Sequence, residues 1–309
     1  LTFLATANAV IYNNATPDFV DINERDYNID LNILENKIKL YRKKNKKIRA
    51  VIGVDFAGQP CDWHNLRYLA NKYNFYLIND NCHALGAGIN KNKKYAIKYA
   101  DIITQSFHPV KNITTGEGGA IITNSKKINN KINELRSHGM IKDKKRLLNK
   151  DGPWYYEMQN LGYNCRVTDF QCALGITQLS KLDFFIKKRN KIANFYNKNL
   201  KNLEFVTTPF VHEKNNHAYH LYVPQFDFKK TKINKIDFYN SLQRNGINLM
   251  VHYLPLILQP YYKKKYGFKV SDYTKSIDYY KKAFSLPIFP SIKDKELEHV
   301  YKIIKKYFK

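Results

Sequence analysis

The chain has 309 residues, 44% of them hydrophobic, enough for a full core in one large and one smaller domain. No stretch reaches the roughly 18–20 uninterrupted apolar residues of a membrane helix. Its 52 basic and 26 acidic side chains give a net charge of +26, but the excess is almost all Lys and no nucleic-acid reader motif accompanies it.

In chain order, an apolar helix-like run at residues 3–10 is already under way at Leu1, so the N-terminus reads as cut, and no signal peptide opens it. Residues 17–22 read as a short strand. Leu31, Leu34, Ile38 and Leu40 or Tyr41 repeat as on an amphipathic helix. Residues 48–55 form a buried strand closed by Gly58 and Pro60, and Asp62 caps a helix running to about Tyr73. A strand at residues 75–78 ends at Asp80, and two more cover residues 100–107 and 119–123. A helix follows at residues 126–136. Near-continuous apolar strands alternating with helices predict an α/β domain with a mainly parallel sheet.

Residues 143–151 are a polar, Lys-rich loop, and residues 168–200 a long helical region starting at Thr168 or Asp169. Beyond it the pattern changes to strands at 220–228, 247–253 and 284–288 with helices at 236–244 and 294–307. That is a small α+β domain, so the boundary is set inside the long helix: residues 1–181 and 182–309. The Lys runs beside the helices read as solvated faces and compositional drift, although the basic field helps attract an anionic substrate. Cys61, Cys82, Cys165 and Cys172 lack C-x-x-C spacing, which argues against a zinc site and a disulfide framework and for the reducing cytoplasm.

The densest chemical signal is Ser106-Phe107-His108-Pro109-Val110-Lys111-Asn112-Ile113-Thr114-Thr115-Gly116-Glu117-Gly118-Gly119, between two predicted strands. Loops at the carboxyl ends of parallel strands are where open α/β sheets bind ligands. A free lysine is a poor nucleophile at neutral pH, and partial burial or a Schiff base removes that handicap. Alone, Lys111 reads as surface charge. Asp80 changes this, ending an earlier strand in Leu77-Ile78-Asn79-Asp80-Asn81-Cys82-His83-Ala84-Leu85-Gly86-Ala87. Pyridoxal 5′-phosphate needs a carboxylate against its pyridine nitrogen to act as an electron sink, whereas an isolated Asp would read as a helix cap.

These two segments resemble the DegT/DnrJ/EryC1/StrS family of pyridoxal-phosphate-dependent sugar aminotransferases, of transferase fold type I. Further segments resemble the family in the same order: Thr2 to Val10, Asn14 to Ile22, Leu135-Arg136-Ser137-His138-Gly139, Leu161 to Asp169, Val251-His252-Tyr253-Leu254-Pro255 and Ser285 to Pro290. The resemblance implies that Lys111 holds the cofactor and shuttles a proton, and that Asp80 pairs with the pyridine nitrogen. It puts His83 at the ring hydroxyl, Ser106 on the phosphate, Phe3 on the ring face and Asn164 across a homodimer interface to the neighbour's phosphate. Arg166 is implied near the active site; His108, His252 and Tyr253 face substrate or only shape the loops. No metal is implied. The family's Gly-Thr/Ser phosphate segment has no counterpart here, so the chain is expected to begin downstream of it.

The wording of the lysine loop, with Trp154 to Gln159 before Leu161-Gly162-Tyr163-Asn164, most resembles the branch that aminates C4 of a UDP-linked 4-keto-6-deoxy-N-acetylhexosamine towards pseudaminic acid. The implied partners are that nucleotide sugar and L-glutamate/2-oxoglutarate, with neither nucleic acid nor membrane. The alternatives are a GDP- or dTDP-linked keto sugar, or a truncated, non-catalytic member of the family.

Overall fold

The computed structural model describes residues 1–149 and 151–308. Its central sheet has four strands: β1 (Ala50–Val54), β2 (Tyr76–Asp80), β3 (Ile102–Ser106) and β4 (Gly119–Ile122), adjacent in that order. β1, β2 and β3 run parallel, with Val54 beside Asp80 and Asp80 beside Thr104. β4 returns antiparallel to β3, with Gly119 opposite Ser106. The hairpin therefore carries the Lys111 loop back over the carboxyl edge at which Asp80 ends.

Three of the helices around the sheet, those starting at Leu31, Trp63 and Lys126, begin at side-chain caps. α1 (Leu4–Tyr12) opens the chain, and α2 (Leu31–Lys43) begins as the Asp30 carboxylate accepts the amides of Asn32 and Ile33 at 3.0 and 3.1 Å. Its buried stripe is Leu34 and Ile38, one turn apart. α3 (Trp63–Tyr73), capped by Asp62, makes the crossover from β1 to β2 and buries Trp63, Leu66, Leu69 and Ala70. Each such large apolar side chain contributes about 1.5–3 kcal/mol on burial. Trp63 lies so close over β1 that a Cβ on Gly53 would sit 2.7 Å from its ring, which reserves that position for glycine. Short α4 (Tyr95–Tyr99) precedes β3, and α5 (Lys126–Leu135) follows β4, capped by Ser125.

The long helical region is two helices, α6 (Asp169–Ser180) and α7 (Leu182–Leu200), meeting at Lys181. α6 starts at the expected Thr168 with a reciprocal capping box to Gln171. None of its residues is buried, and Phe170 is 91% exposed. α8 (Lys235–Arg244), α9 (Pro260–Tyr266), α10 (Thr274–Lys282) and α11 (Asp294–Lys305) complete the chain. Phe226, Phe238, Phe284 and Phe308 pack at ring separations of 5.0–6.5 Å in a C-terminal core that draws on residues from Ile192 onward.

Two expectations change. Residues 17–22 are not a strand: Ile22 makes one bridge to Ile29, and the Asp21 carboxylate instead accepts the amides of Lys275 and Ser276 at the start of α10, both at 2.9 Å. The three C-terminal strands reduce largely to single bridges, Tyr222–Leu286, Gln225–Ala283 and Met250–Ser285. Pro224 and Pro287 interrupt these segments and donate no amide to a ladder. Within the expected loop at 143–151, Lys150 lies outside the described residues.

Candidate active site

Asp80 owes its position to Asp55. The fully buried Asp55 carboxylate accepts Asn79 Nδ2 at 3.1 Å and Asn81 Nδ2 at 2.7 Å, and also Trp63 Nε1 at 2.8 Å and the Tyr95 hydroxyl at 2.6 Å. The two asparagines flank Asp80, so the strand end is fixed on both sides. The Asp80 carboxylate is then oriented by its own contacts: Thr6 Oγ1 donates to Oδ2 at 2.6 Å and the Cys82 amide to Oδ1 at 3.2 Å. Thr2 Oγ1 stands 2.6 Å from Thr6 Oγ1. With the Thr6 proton committed to Asp80, Thr2 is the donor in that pair. Sequence reasoning missed Thr6 and Asp55; two hydroxyls four residues apart in an N-terminal apolar run were the available signal for Thr6.

The loop joining β3 to β4 is closed by backbone bonds from Phe107 to Gly118 at 2.9 Å and from Thr115 to Phe107 at 3.0 Å. Asn112 Nδ2 donates to the Leu85 carbonyl at 2.9 Å, tying this loop to the segment after Asp80. Lys111 is half-buried, and among the described residues its amine has neither a hydrogen bond nor an ion pair. Burial holds its pKa below the usual lysine range, against the opposing pull of Cys82 and Asp80. A larger neutral fraction makes the amine a better nucleophile. Ser106 ends β3, its hydroxyl accepting the His108 amide at 3.4 Å, while His108 is exposed with Glu117 at 3.9 Å.

His83 is buried beside this pair. The Ala57 amide donates to its Nδ1 at 3.3 Å, and its Nε2 lies 3.0 Å from the Tyr253 hydroxyl. The turn at Ala57 and Gly58 also seats the segment before His220: Ala218 N donates to Gly58 O at 2.9 Å. Gly58 has φ +104°, and a Cβ there would meet Tyr219 N at 2.9 Å. The His220 ring thereby lies 4.4 Å from His83, tilted at 44° to it. Burial, then the Lys111 charge, lowers the His83 pKa well below its ordinary range. Burial and then His83 and Lys111 do the same for His220. His252 falls to about 4 through burial and Lys111. Its Nδ1 is 2.7 Å from Ser285 Oγ. Phe3 is exposed at the site's rim, its ring 5.8 Å from Tyr253.

The structure thus gathers Lys111, Asp80, His83, Tyr253, His252 and Phe3, with Ser106 at the loop's root. Asn164 and Arg166 stand apart. Both are exposed, and Arg166 Nε donates to Asn164 Oδ1 at 2.7 Å, with no bond from either side chain to the residues above among the described residues.

A model of the DegT/DnrJ/EryC1/StrS aminotransferase family matches residues 1–305. The chain belongs to that family. A Campylobacter jejuni protein named UDP-4-amino-4,6-dideoxy-N-acetyl-beta-L-altrosamine transaminase is 40% identical over 301 residues, 97% of this chain and 75% of that protein. The solved structure of Helicobacter pylori PseC, an aminotransferase involved in the biosynthesis of pseudoaminic acid, superimposes with a TM-score of 0.87 at 29% identity, covering 99% of this chain and 77% of that one. The solved structure of Streptococcus pneumoniae Spr1654 in its PMP-form gives a TM-score of 0.83 at 25% identity over 99% of this chain and 79% of that one.

This family member is therefore a sugar aminotransferase of transferase fold type I, and its cofactor is pyridoxal 5′-phosphate. The residues present fit that cofactor. A half-buried amine without a partner among the described residues, suited to a carbonyl carbon, and a carboxylate with both oxygens already oriented share one edge of the sheet. No helix among the described residues is long and apolar enough to cross a membrane.

Proposed function

We propose that the enzyme moves an amino group from L-glutamate to C4 of a UDP-linked 4-keto-6-deoxy-N-acetylhexosamine, a step towards pseudaminic acid. The observation that carries this reading is the likeness to the Campylobacter transaminase across almost the whole chain. In this reading Lys111 would hold the cofactor, and its amine would accept and return the proton at the substrate carbon. Its half-buried setting supports this, because an amine of lowered pKa gives up its proton more readily than an exposed lysine does. Bound pyridoxal 5′-phosphate supplies an electron sink at its ring. Asp80 keeps the ring nitrogen protonated, and the bonds from Thr6 and Cys82 fix the carboxylate's direction. Ser106 contacts the phosphate, Phe3 covers the ring, and His108, His252 and Arg166 meet the substrates.

The enzyme works as a homodimer in the cytoplasm, in which Asn164 serves the neighbouring site. Supporting this, Trp154, Leu161, Tyr163, Phe170 and Ile176 are 65–91% exposed on the segment that carries Asn164, a larger apolar face than single surface residues produce. The division at Lys181 belongs to the same proposal, supported by a C-terminal core built from residue 192 onward.

The test incubates the full-length protein with pyridoxal 5′-phosphate, L-glutamate and matched UDP-, GDP- and dTDP-linked 4-keto sugars, following 2-oxoglutarate release. Turnover with the UDP-linked N-acetyl sugar at least tenfold above the others supports the proposal; preference for a GDP- or dTDP-linked sugar overturns it.

A further inference from the structure

We infer that Tyr253, rather than His83, donates the hydrogen bond to the ring oxygen of the bound cofactor, and that His83 is a positioning residue acting through Tyr253. The inference rests on the family's cofactor and not on the choice of sugar.

The available protons decide the roles. A neutral imidazole has one donor nitrogen and one acceptor. His83 is buried, with its pKa held well below the ordinary histidine range by burial and by Lys111, so it is neutral. The Ala57 amide points at Nδ1 from 3.3 Å, which makes Nδ1 the acceptor and leaves the ring proton on Nε2. The opposite tautomer would set two N–H groups against each other at a buried position. Nε2–H then faces the Tyr253 oxygen at 3.0 Å and donates to it. Both nitrogens of His83 are satisfied within the protein, leaving none for the cofactor.

Tyr253 is left in the complementary state. Its oxygen accepts from His83, and among the described residues nothing accepts its own proton. Burial, with Asp80 and Cys82 nearby, raises its pKa, so the phenol stays protonated. Its ring is held by Phe3 at 5.8 Å and Phe56 at 6.4 Å. A half-buried hydroxyl with a spare proton, beside the carboxylate proposed for the ring nitrogen, matches the ring oxygen, an anionic acceptor on that same ring. His83 supplies direction: by occupying one lone pair of the phenol it turns the O–H away from itself and into the site.

The test is a double-mutant cycle on full-length protein, reading pyridoxal 5′-phosphate affinity and the position of the visible absorbance band, without sugar or glutamate. Tyr253→Phe removes the donor to the cofactor, together with the acceptor of His83 Nε2–H, and is expected to weaken binding about tenfold and to shift the band, as loss of a hydrogen bond to a charged acceptor requires. His83→Phe is expected to weaken binding on its own but to add nothing in the Tyr253→Phe background. Unchanged affinity and band in Tyr253→Phe overturn the inference. So does a full, additive effect of His83→Phe in the double variant, which would mean that His83 reaches the cofactor itself. Should His83→Phe fail to fold, the Tyr253→Phe result decides alone. A preference for another nucleotide sugar leaves these readouts untouched.

Discussion

Asp55 holds Asp80 on three sides: its amide donates to the Asp80 carbonyl at 3.2 Å, and its buried carboxylate takes one hydrogen bond from Asn79 and one from Asn81, at 3.1 and 2.7 Å, so the residue between them is fixed at the end of β2. Asp55→Ala leaves Asn79, Asn81, Trp63 and Tyr95 without their shared acceptor inside the core. The expected loss is on the order of 3 kcal/mol, since several buried donors lose their partner together. Urea denaturation checks this, and a change below about 1 kcal/mol would contradict it.

Thr6 acts on Asp80 directly. Thr6→Val keeps the shape and removes the donor to Oδ2, whereas Thr6→Ser keeps the donor. Cofactor affinity, read by absorbance titration, is expected to fall five- to tenfold in the valine variant, about 1–1.4 kcal/mol, and to stay near wild type in the serine variant. Equal affinities in all three proteins would contradict the assignment.

Histidines that the fold takes out of water, three of them buried and His252 half-buried, make it acid-sensitive. His252 is lowered from 6.5 to about 4 and His217 from 6.5 to about 3 by burial, with the Lys111 charge adding to the effect on His252. His83 and His220 are lowered in the same way. A histidine depressed in the folded state binds its proton more readily when unfolded. Its stabilising share is therefore complete above 6.5 and is lost as pH falls from 6.5 towards the folded value. A tenfold difference in proton affinity between the folded and unfolded chain is worth roughly 1.4 kcal/mol, so the urea midpoint is expected to drop clearly between pH 7 and pH 5. A flat profile over that interval would contradict the burial of these rings.

The exposed apolar face around Asn164 predicts self-association. Light scattering of the full-length protein is expected to give a dimer, and Phe170→Glu, altering a residue 91% exposed on the single chain, to shift the population towards monomer. A monomeric wild type would contradict the proposed homodimer.

Much of this molecule was readable from its residues. Alternating apolar strands and capped helices pointed to the sheet, and Asp80 and Lys111 stood out because each sits at a strand end beside residues suited to a tight loop. Helix starts at Asp62 and Thr168 follow from short-range side-chain bonds, which sequence spacing records. What escaped depends on contacts between distant segments. Thr6 is 74 residues from Asp80, and Tyr253 is 170 residues from His83. Residues 17–22 carry a strand-like pattern, yet the Asp21 carboxylate serves α10, 254 residues further along at Lys275. The same limit applies to His83, whose role by resemblance ignores that Ala57 and Tyr253 already occupy both its nitrogens.

The central claim is that Lys111 is the residue that holds the cofactor and carries the amino-transfer proton. Its most direct test is the visible absorbance of full-length protein with added pyridoxal 5′-phosphate, before and after L-glutamate, for wild type and Lys111→Ala. The account predicts a visible band in the wild type that bleaches with L-glutamate, and neither band nor bleaching in Lys111→Ala. A folded wild type without the band, or a Lys111→Ala protein that keeps both band and bleaching, would contradict it.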